Sequence, residues 1–309
     1  CVALRGAVPV FVDVDSVSQN ITLKGISGAV TEKTKAVIAV NLAGWPCELV
    51  SIKSFCEQNR LFLIEDCAQA HGAAFEGKKA GSFGDCAVFS FCQDKIMTTG
   101  GEGGMLVTNN ADIWEKVWSY KDHGKDYSRA FCQGHEPGFR WLVDRFGING
   151  RMTEMQAAMG RVMLKKLDGW VEKRRSYAAF LTEGFENISG LRVTVPASNI
   201  YHSYYKYYAF INQKALKKSW NRDMVFDALN QEGVPCSTGT CPEIYRENVF
   251  KNSLYRIHGA DRNKEEKYLP VARQLGETSI MFMVHPTLTL ESIHYVMDQV
   301  RQVMKKAVR

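Results

Sequence analysis

The sequence lacks several patterns that mark whole classes of protein. It contains no apolar run of roughly eighteen residues and no charged-then-apolar leader, so it predicts neither a membrane span nor a signal peptide. Its nine cysteines form no CxxC pair and no cysteine–histidine cluster at zinc spacing. We therefore interpret the cysteines as reduced packing residues, and we expect a cytoplasmic protein without a metal site.

The chain also lacks a strong charge of either sign. Its 39 basic and 33 acidic residues give a net charge of +6, and the one basic cluster, near residues 305–309, falls on a helix-like stretch. Without a basic stripe there is little reason to expect nucleic-acid binding. A length of 309 residues with 45% hydrophobic residues is instead typical of a globular chain large enough for two domains.

Apolar runs alternate with helical ones in the first half of the chain. The pattern predicts core strands over residues 8–15, 35–44 and 61–66, with a helix over residues 48–60 before the last of them. These strands are apolar nearly throughout, as in parallel sheets covered on both faces. The first half is therefore predicted to be an α/β layer.

The spacing of apolar residues changes at Met152. From there they follow the i, i+3, i+4 spacing of a helix. Thr153 and Gln156 have the spacing of a capping box at its start. We expect this long helix to join a large domain, residues 1–165, to a smaller α+β domain, residues 166–309. The smaller domain would hold a strand near Tyr204, a helix ending near Gly233 and a final amphipathic helix.

Several residues are candidates for chemistry, and each has an ordinary structural explanation as well. Lys95 lies on the connection between two predicted strands, over residues 87–91 and 103–110. Glu65 and Asp66 end another strand, where α/β sheets bind ligands. A solvated lysine and a plain strand-end turn are the alternatives. His71 is interpreted as a packing or loop residue. We reject a P-loop at residues 72–79, because Lys79 stands where Ser or Thr must reach magnesium, and we find no histidine placed to serve Cys92 as a nucleophile.

The combination of these segments resembles the DegT/DnrJ/EryC1/StrS family, the pyridoxal-phosphate-dependent sugar aminotransferases of fold type I. The resemblance rests on the strand-terminal Asp66, on the spacing from Ser90 to Lys95 and on the glycine-rich turn after it. It spans nearly the whole chain, in order, through FVDVD, EDCAQAHGA, FGDCAVFSFCQDKIMTTGGEGGMLVTN, DHG, GINGRMTEMQAAMGR, VPCSTGTCPEIY and VHPTLT.

The resemblance implies a mostly parallel central sheet flanked by helices, a smaller α+β C-terminal domain and a set of cofactor-binding residues. Lys95 would form a Schiff base with pyridoxal 5'-phosphate and move the proton between cofactor and substrate carbons. Asp66 would keep the pyridine nitrogen protonated, Gln69 would lie against the ring and its 3-hydroxyl, and Ser90 would bind the phosphate. Asn149 would reach the phosphate of the neighbouring subunit's cofactor, which implies a homodimer with shared active sites.

Two departures from the family pattern are visible. Gly150 stands where members often carry an aromatic residue. The family's preceding strand–helix units, with a phosphate-binding turn and an aromatic residue stacked on the ring, are not found, so we expect a large domain that is incomplete at its N-terminal side.

The resemblance favours an aminotransferase that moves an amino group from glutamate to a keto group of a nucleotide-linked deoxysugar. A cyclitol aminotransferase, a sugar dehydratase and a regulatory, non-enzymatic member of the fold are the alternatives. The dehydratases resemble the pattern with His in place of the lysine, so Lys95 argues against that reading, and the intact set of Asp66, Ser90 and Lys95 argues against a regulatory protein.

Overall fold

Two larger sheets and one small one organise the chain, which is described by a computed structural model over residues 1–132, 143, 145–239, 243–251 and 269–309. Residues 240–242 of the VPCSTGTCPEIY segment lie outside this description. The strands are β1 (Ala36–Val40), β2 (Phe62–Asp66), β3 (Ala74–Phe75), β4 (Lys78–Lys79), β5 (Cys86–Ser90), β6 (Gly104–Val107), β7 (Leu191–Val193), β8 (Ile200–Tyr201), β9 (Tyr207–Ile211), β10 (Cys236–Ser237) and β11 (Ser279–Phe282). The α-helices are α1 (Leu23–Ala29), α2 (Leu49–Gln58), α3 (Ala111–Lys121), α4 (Tyr127–Phe131), α5 (Glu154–Phe185), α6 (Arg222–Gln231), α7 (Asn248–Lys251), α8 (Pro270–Thr278) and α9 (Leu290–Ala307).

The first sheet has the strand order β1-β2-β5-β6. The strands β1, β2 and β5 run parallel, and β6 runs antiparallel to β5. The expected α/β layer is confirmed. On β1, Val37 and Ala39 pack against α1 and α2, whereas Ile38 and Val40 on the other face are exposed in the described part of the chain.

The predicted strand over residues 8–15 is wrong. In this segment only Val14 makes a bridge, an isolated one to Ile21. The aspartates of the segment use their side chains instead. Asp13 accepts backbone N–H groups at the start of α8, and Asp15 accepts those of Val17 and Ser18 to close a turn. Such local bonds compete with strand pairing, so the apolar pattern alone misled the prediction.

The second sheet is antiparallel, in the order β10-β11-β9-β7. Helices α5, α6 and α9 contribute to the apolar core beside it, which includes Phe185, Tyr207, Leu229, Phe282 and Val300. The predicted strand near Tyr204, the helix ending near Gly233 and the final helix are confirmed as β9, α6 and α9. A third, small sheet pairs β3 with β4 and with β8.

Helix α5 joins the two larger cores. It begins at the predicted capping box, in which Thr153 and Gln156 exchange hydrogen bonds, and it runs for 32 residues. Its early residue Gly160 packs near Thr99, on the connection between β5 and β6 of the first sheet, whereas Phe185 lies in the second core. The proposed domain boundary falls inside this helix and stays a prediction. Within the described residues, no helix has the length and apolarity needed to cross a membrane.

Candidate functional site

The carboxyl ends of β2 and β5 bring Asp66 and Ser90 to one edge of the first sheet. Asp66 pairs with Val88 in parallel register, and Ser90 follows two residues later on β5. The Asp66 Oδ1 atom accepts the N–H of Ala68 at 2.9 Å, while Oδ2 has no hydrogen-bond partner in the described part of the chain. The Ser90 hydroxyl accepts the N–H of Cys92 at 3.3 Å, so its own proton remains available to a ligand.

Glu65, next to Asp66, has a different role. Successive strand residues point to opposite faces, so Glu65 turns into the protein and is fully buried. Its carboxylate accepts the N–H groups of Gly81, Phe83 and Gly84 at 2.7 Å each. These bonds fix the loop that leads into β5, which carries Ser90. Sequence reasoning grouped the two carboxylates together, and the structure separates them.

The loop that carries Lys95 is held by its own backbone. The N–H of Lys95 donates to the carbonyl of Cys92 at 3.1 Å, and the N–H of Phe91 donates to Gly103 at 2.7 Å. The two ends of the connection between β5 and β6 are thereby drawn together. Lys95 lies on this connection as predicted, on a scaffold of paired strands.

The amine of Lys95 is enclosed, since its side chain is only 16% exposed. Its Nζ atom lies 3.7 Å from Asp94 Oδ1 and 4.9 Å from the centroid of the Tyr205 ring. The Tyr205 hydroxyl donates to the other oxygen of Asp94. Burial tends to raise the pKa of Asp94, but this hydrogen bond and the charge of Lys95 bring it below its ordinary value, so Asp94 is ionised at neutral pH.

His71 packs behind this loop. Its ring is buried, and its centroid lies 5.4 Å from that of Phe89 and 6.0 Å from that of Phe91. Burial lowers the pKa of His71 to about 4, so the ring is neutral near pH 7. The interpretation of His71 as a packing residue is confirmed.

Gln69 and Asn149, the other two predicted cofactor-binding residues, lie on separate segments of the chain. Gln69 is half-buried after β2, and its Oε1 atom accepts the N–H of Ala43 at 2.8 Å. Asn149 is exposed on another segment, where its backbone pairs with Asp122 and its Oδ1 accepts from Arg151 Nε at 3.2 Å. The described contacts of Asn149 do not include the other predicted site residues.

Sequence reasoning missed a group of residues around Tyr205. The Tyr-rich run was interpreted only as a strand, but Tyr205 and Lys206 precede β9 and lie beside the Lys95 loop. Arg174 of α5 also reaches this place and donates to the Tyr205 carbonyl. The one signal available was a lysine inside a run of aromatic residues, which is unusual for a buried strand.

Comparisons with known proteins identify the family that the chain resembles. The chain matches the family model described as the DegT/DnrJ/EryC1/StrS aminotransferase family over residues 1–301. Among solved structures, an aminotransferase from Psychrobacter cryohalolentis is 44% identical with a TM-score of 0.91, over 99% of this chain and 77% of that one.

Two of the curated relatives have names that refer to sugars. A GDP-perosamine synthase of Escherichia coli O157:H7 is 29% identical over 96% of this chain and 73% of that protein. A UDP-N-acetyl-3-dehydro-alpha-D-glucosamine 3-aminotransferase of Acidithiobacillus ferrooxidans is 30% identical over 97% of this chain and 72% of that protein. The family match over nearly the whole chain, with the fold type I architecture, shows that the chain belongs to the DegT/DnrJ/EryC1/StrS aminotransferase family.

Proposed function

We propose that the chain transfers an amino group from glutamate to the keto group of a nucleotide-linked deoxysugar, with pyridoxal 5'-phosphate as cofactor. The observation that carries this proposal is the enclosed amine of Lys95 beside the sheet edge that bears Asp66 and Ser90. The relatives named for GDP- and UDP-linked amino sugars support the substrate class.

The residues at this edge fit the proposed cofactor. Such a cofactor needs an amine for its aldehyde, a carboxylate for its ring nitrogen and hydrogen-bond donors for its phosphate. Lys95 offers the amine, Asp66 offers the unpartnered Oδ2, and Ser90 offers its hydroxyl proton. When bound, pyridoxal phosphate supplies an electron sink for the negative charge left on a carbon that loses its proton.

Each side chain then has a separate task. Lys95 would hold the cofactor by a covalent bond from Nζ and, when released, would accept and return the proton at that atom. Asp66 would favour the protonated ring nitrogen, because a nearby negative charge stabilises the charged form. Gln69 has its oxygen engaged by Ala43, which leaves its amide N–H groups to donate to the 3-hydroxyl.

We further propose a homodimer in which Asn149 serves the cofactor of the partner. An arginine has donors only, so the Arg151 bond requires that the amide oxygen of Asn149 faces it and leaves the amide N–H groups free to donate. Phe146 and Ile148 before it and Met155 on α5 are exposed apolar side chains. Such a patch is typical of a surface that another chain covers.

The test is an assay of the purified protein with pyridoxal phosphate, glutamate and a panel of nucleotide-linked keto-sugars, with a cyclitol ketone as a further acceptor. We expect 2-oxoglutarate and an amino sugar in equal amounts, and we expect Lys95→Ala to abolish turnover. The exposed Lys33→Ala is the matched control and should keep full activity. Wild-type turnover by Lys95→Ala, or a deoxygenated product without an amino group, would contradict the proposal.

A further inference from the structure

Three positively charged side chains gather around Tyr205. Lys95 Nζ and Lys206 Nζ each lie 4.9 Å from the centroid of its ring, so the two amines are separated by no more than twice that distance. Arg174 Nη1 donates to the Tyr205 carbonyl at 3.1 Å. In the part of the chain that the structure describes, Asp94 is the carboxylate that contacts this cluster. The cluster therefore has more positive than negative charge.

Lys206 is the least satisfied member of the cluster. It is only 8% exposed, and its Nζ donates to the sulfur of Met283 at 3.1 Å. A thioether is a weak acceptor, whereas an ammonium carries three strong donors. No oxygen acceptor contacts this amine among the described residues. A buried charge with so few partners is costly unless something else pairs with it.

Arg174 adds a second buried and incompletely partnered cation. It is 2% exposed, its Nη1 donates to the carbonyls of Tyr204 and Tyr205, and its Nε has no partner in the described ranges. Burial lowers the pKa of Arg174 to about 10, which leaves the guanidinium charged at neutral pH. Its charge reinforces that of Lys206.

The positive charges of this cluster also contribute to the lowered pKa values of His71 and His285. Burial is the main cause that lowers the pKa of His71, and the charges of Lys95 and Arg174 lower it further. Burial likewise lowers the pKa of His285, and the charges of Arg174 and Lys206 add to that effect. Both rings are neutral near pH 7, so neither adds charge, and the place next to Lys95 attracts an anion.

We propose that Lys206, reinforced by Arg174, binds a carboxylate group of the amino donor beside Lys95. This inference rests on the proposed transfer from an amino acid, because that substrate must bring a carboxylate to the reacting amine. The low exposure of Lys206 suits a small planar anion and disfavours the bulky diphosphate of a nucleotide sugar. The bond would be charge-assisted, since donor and acceptor are both ionised.

The first experiment measures protection of Lys206 in the wild-type chain prepared without cofactor. The protein is treated with acetic anhydride, with and without glutarate, a dicarboxylate that has no amino group to transfer, and acetylation of each lysine is followed by mass spectrometry. We expect glutarate to slow acetylation of Lys206 and not that of Lys218, an exposed lysine between β9 and α6. Equal rates at Lys206 with and without glutarate would overturn the inference.

Two other anions test whether Lys206 binds a phosphate group rather than the carboxylate of the amino donor. Inorganic phosphate represents the phosphate of the cofactor, and uridine diphosphate represents that of the nucleotide sugar. We expect neither to protect Lys206 at the concentration at which glutarate does. Protection by phosphate or by uridine diphosphate instead of glutarate would assign the cluster to that ligand and contradict a donor-carboxylate site.

The second experiment compares Lys206→Met, which keeps the length of the side chain without its charge, with Lys206→Arg and with the control Lys218→Met. Loss of a charge-assisted bond should weaken glutarate binding by about ten- to hundredfold. Lys206→Arg should restore part of it, and Lys218→Met should leave it unchanged. In the active enzyme, KM for the amino donor should rise and KM for the sugar should not. Unchanged glutarate affinity in Lys206→Met would refute the inference, whereas absent transamination by the wild type would instead refute the proposed function.

Discussion

Replacing Glu65 by glutamine is expected to destabilise the chain strongly, although only one oxygen changes to an NH2 group. The Glu65 Oε2 atom accepts the N–H of Gly81, and Oε1 accepts those of Phe83 and Gly84, all at 2.7 Å. In Glu65→Gln one of these positions must hold an amide NH2 group. With the amide oxygen kept opposite Phe83 and Gly84, a donor would face the N–H of Gly81.

The magnitude follows from these three bonds. A buried donor that loses its acceptor costs about 1 to 3 kcal/mol. The two bonds that remain lose the charge of their acceptor, and since charge assistance roughly doubles such a bond, each becomes weaker by about 1 kcal/mol. Because Glu65 is fully buried, water does not replace what is lost. The free energy of unfolding should fall by about 3 to 5 kcal/mol.

Urea unfolding followed by tryptophan fluorescence measures this loss, with the free energy extrapolated to water. The matched control is Glu115→Gln on the exposed face of α3, which should change the free energy of unfolding by less than about 0.5 kcal/mol. If Glu65→Gln were as stable as Glu115→Gln, the three bonds would not be the anchor of the loop before β5, and the reasoning would be refuted.

Three further predictions follow from the structure. Gly44→Ala should lower the free energy of unfolding, measured in a urea titration, by about 2 kcal/mol or more. The reason is that Gly44 has a φ of 95° and an added Cβ would lie 3.0 Å from the Tyr204 nitrogen. The control Gly28→Ala in α1, where an added Cβ has open space, should not be destabilising. The folded pKa of His71 is about 4 against an ordinary 6.5, so the unfolded chain takes up the proton first. The stability that neutral His71 confers is therefore complete above pH 6.5 and is lost, by about 3 kcal/mol, as the pH falls to 4; unfolding titrations across this range should show a shallower loss in His71→Leu, and an unchanged slope would contradict the assignment. Mixing inactive Asn149→Ala and Lys95→Ala chains should restore part of the activity, since one site of the mixed dimer carries neither change; heterodimers without activity would count against shared sites.

The parts of the fold that the sequence predicted correctly are those set by local periodicity. The apolar runs became β1, β2, β5 and β6, and the i, i+3, i+4 pattern after Thr153 became α5. The strand over residues 8–15 failed because its aspartates formed side-chain bonds that a pattern of apolar residues does not encode.

The candidate site also has a part that local sequence predicts and a part that depends on long-range packing. The placement of Asp66, Ser90 and Lys95 near one edge of the first sheet could be predicted, because β2 and β5 end there. Their roles rest on the family resemblance and stay predictions. The contact between Tyr205 and Asp94 spans 111 residues, and only the folded chain brings the two together. The excess positive charge around Lys206 depends on the same long-range packing, so no local motif reveals it.

The central claim, that Lys95 is the residue that binds pyridoxal phosphate, is tested most directly by reducing the protein–cofactor complex with borohydride and mapping the labelled peptide. The account predicts that the label lies on Lys95, and that Lys95→Ala takes up no stable label although it still folds. A label on another lysine, such as Lys206, or undiminished labelling of Lys95→Ala, would contradict it.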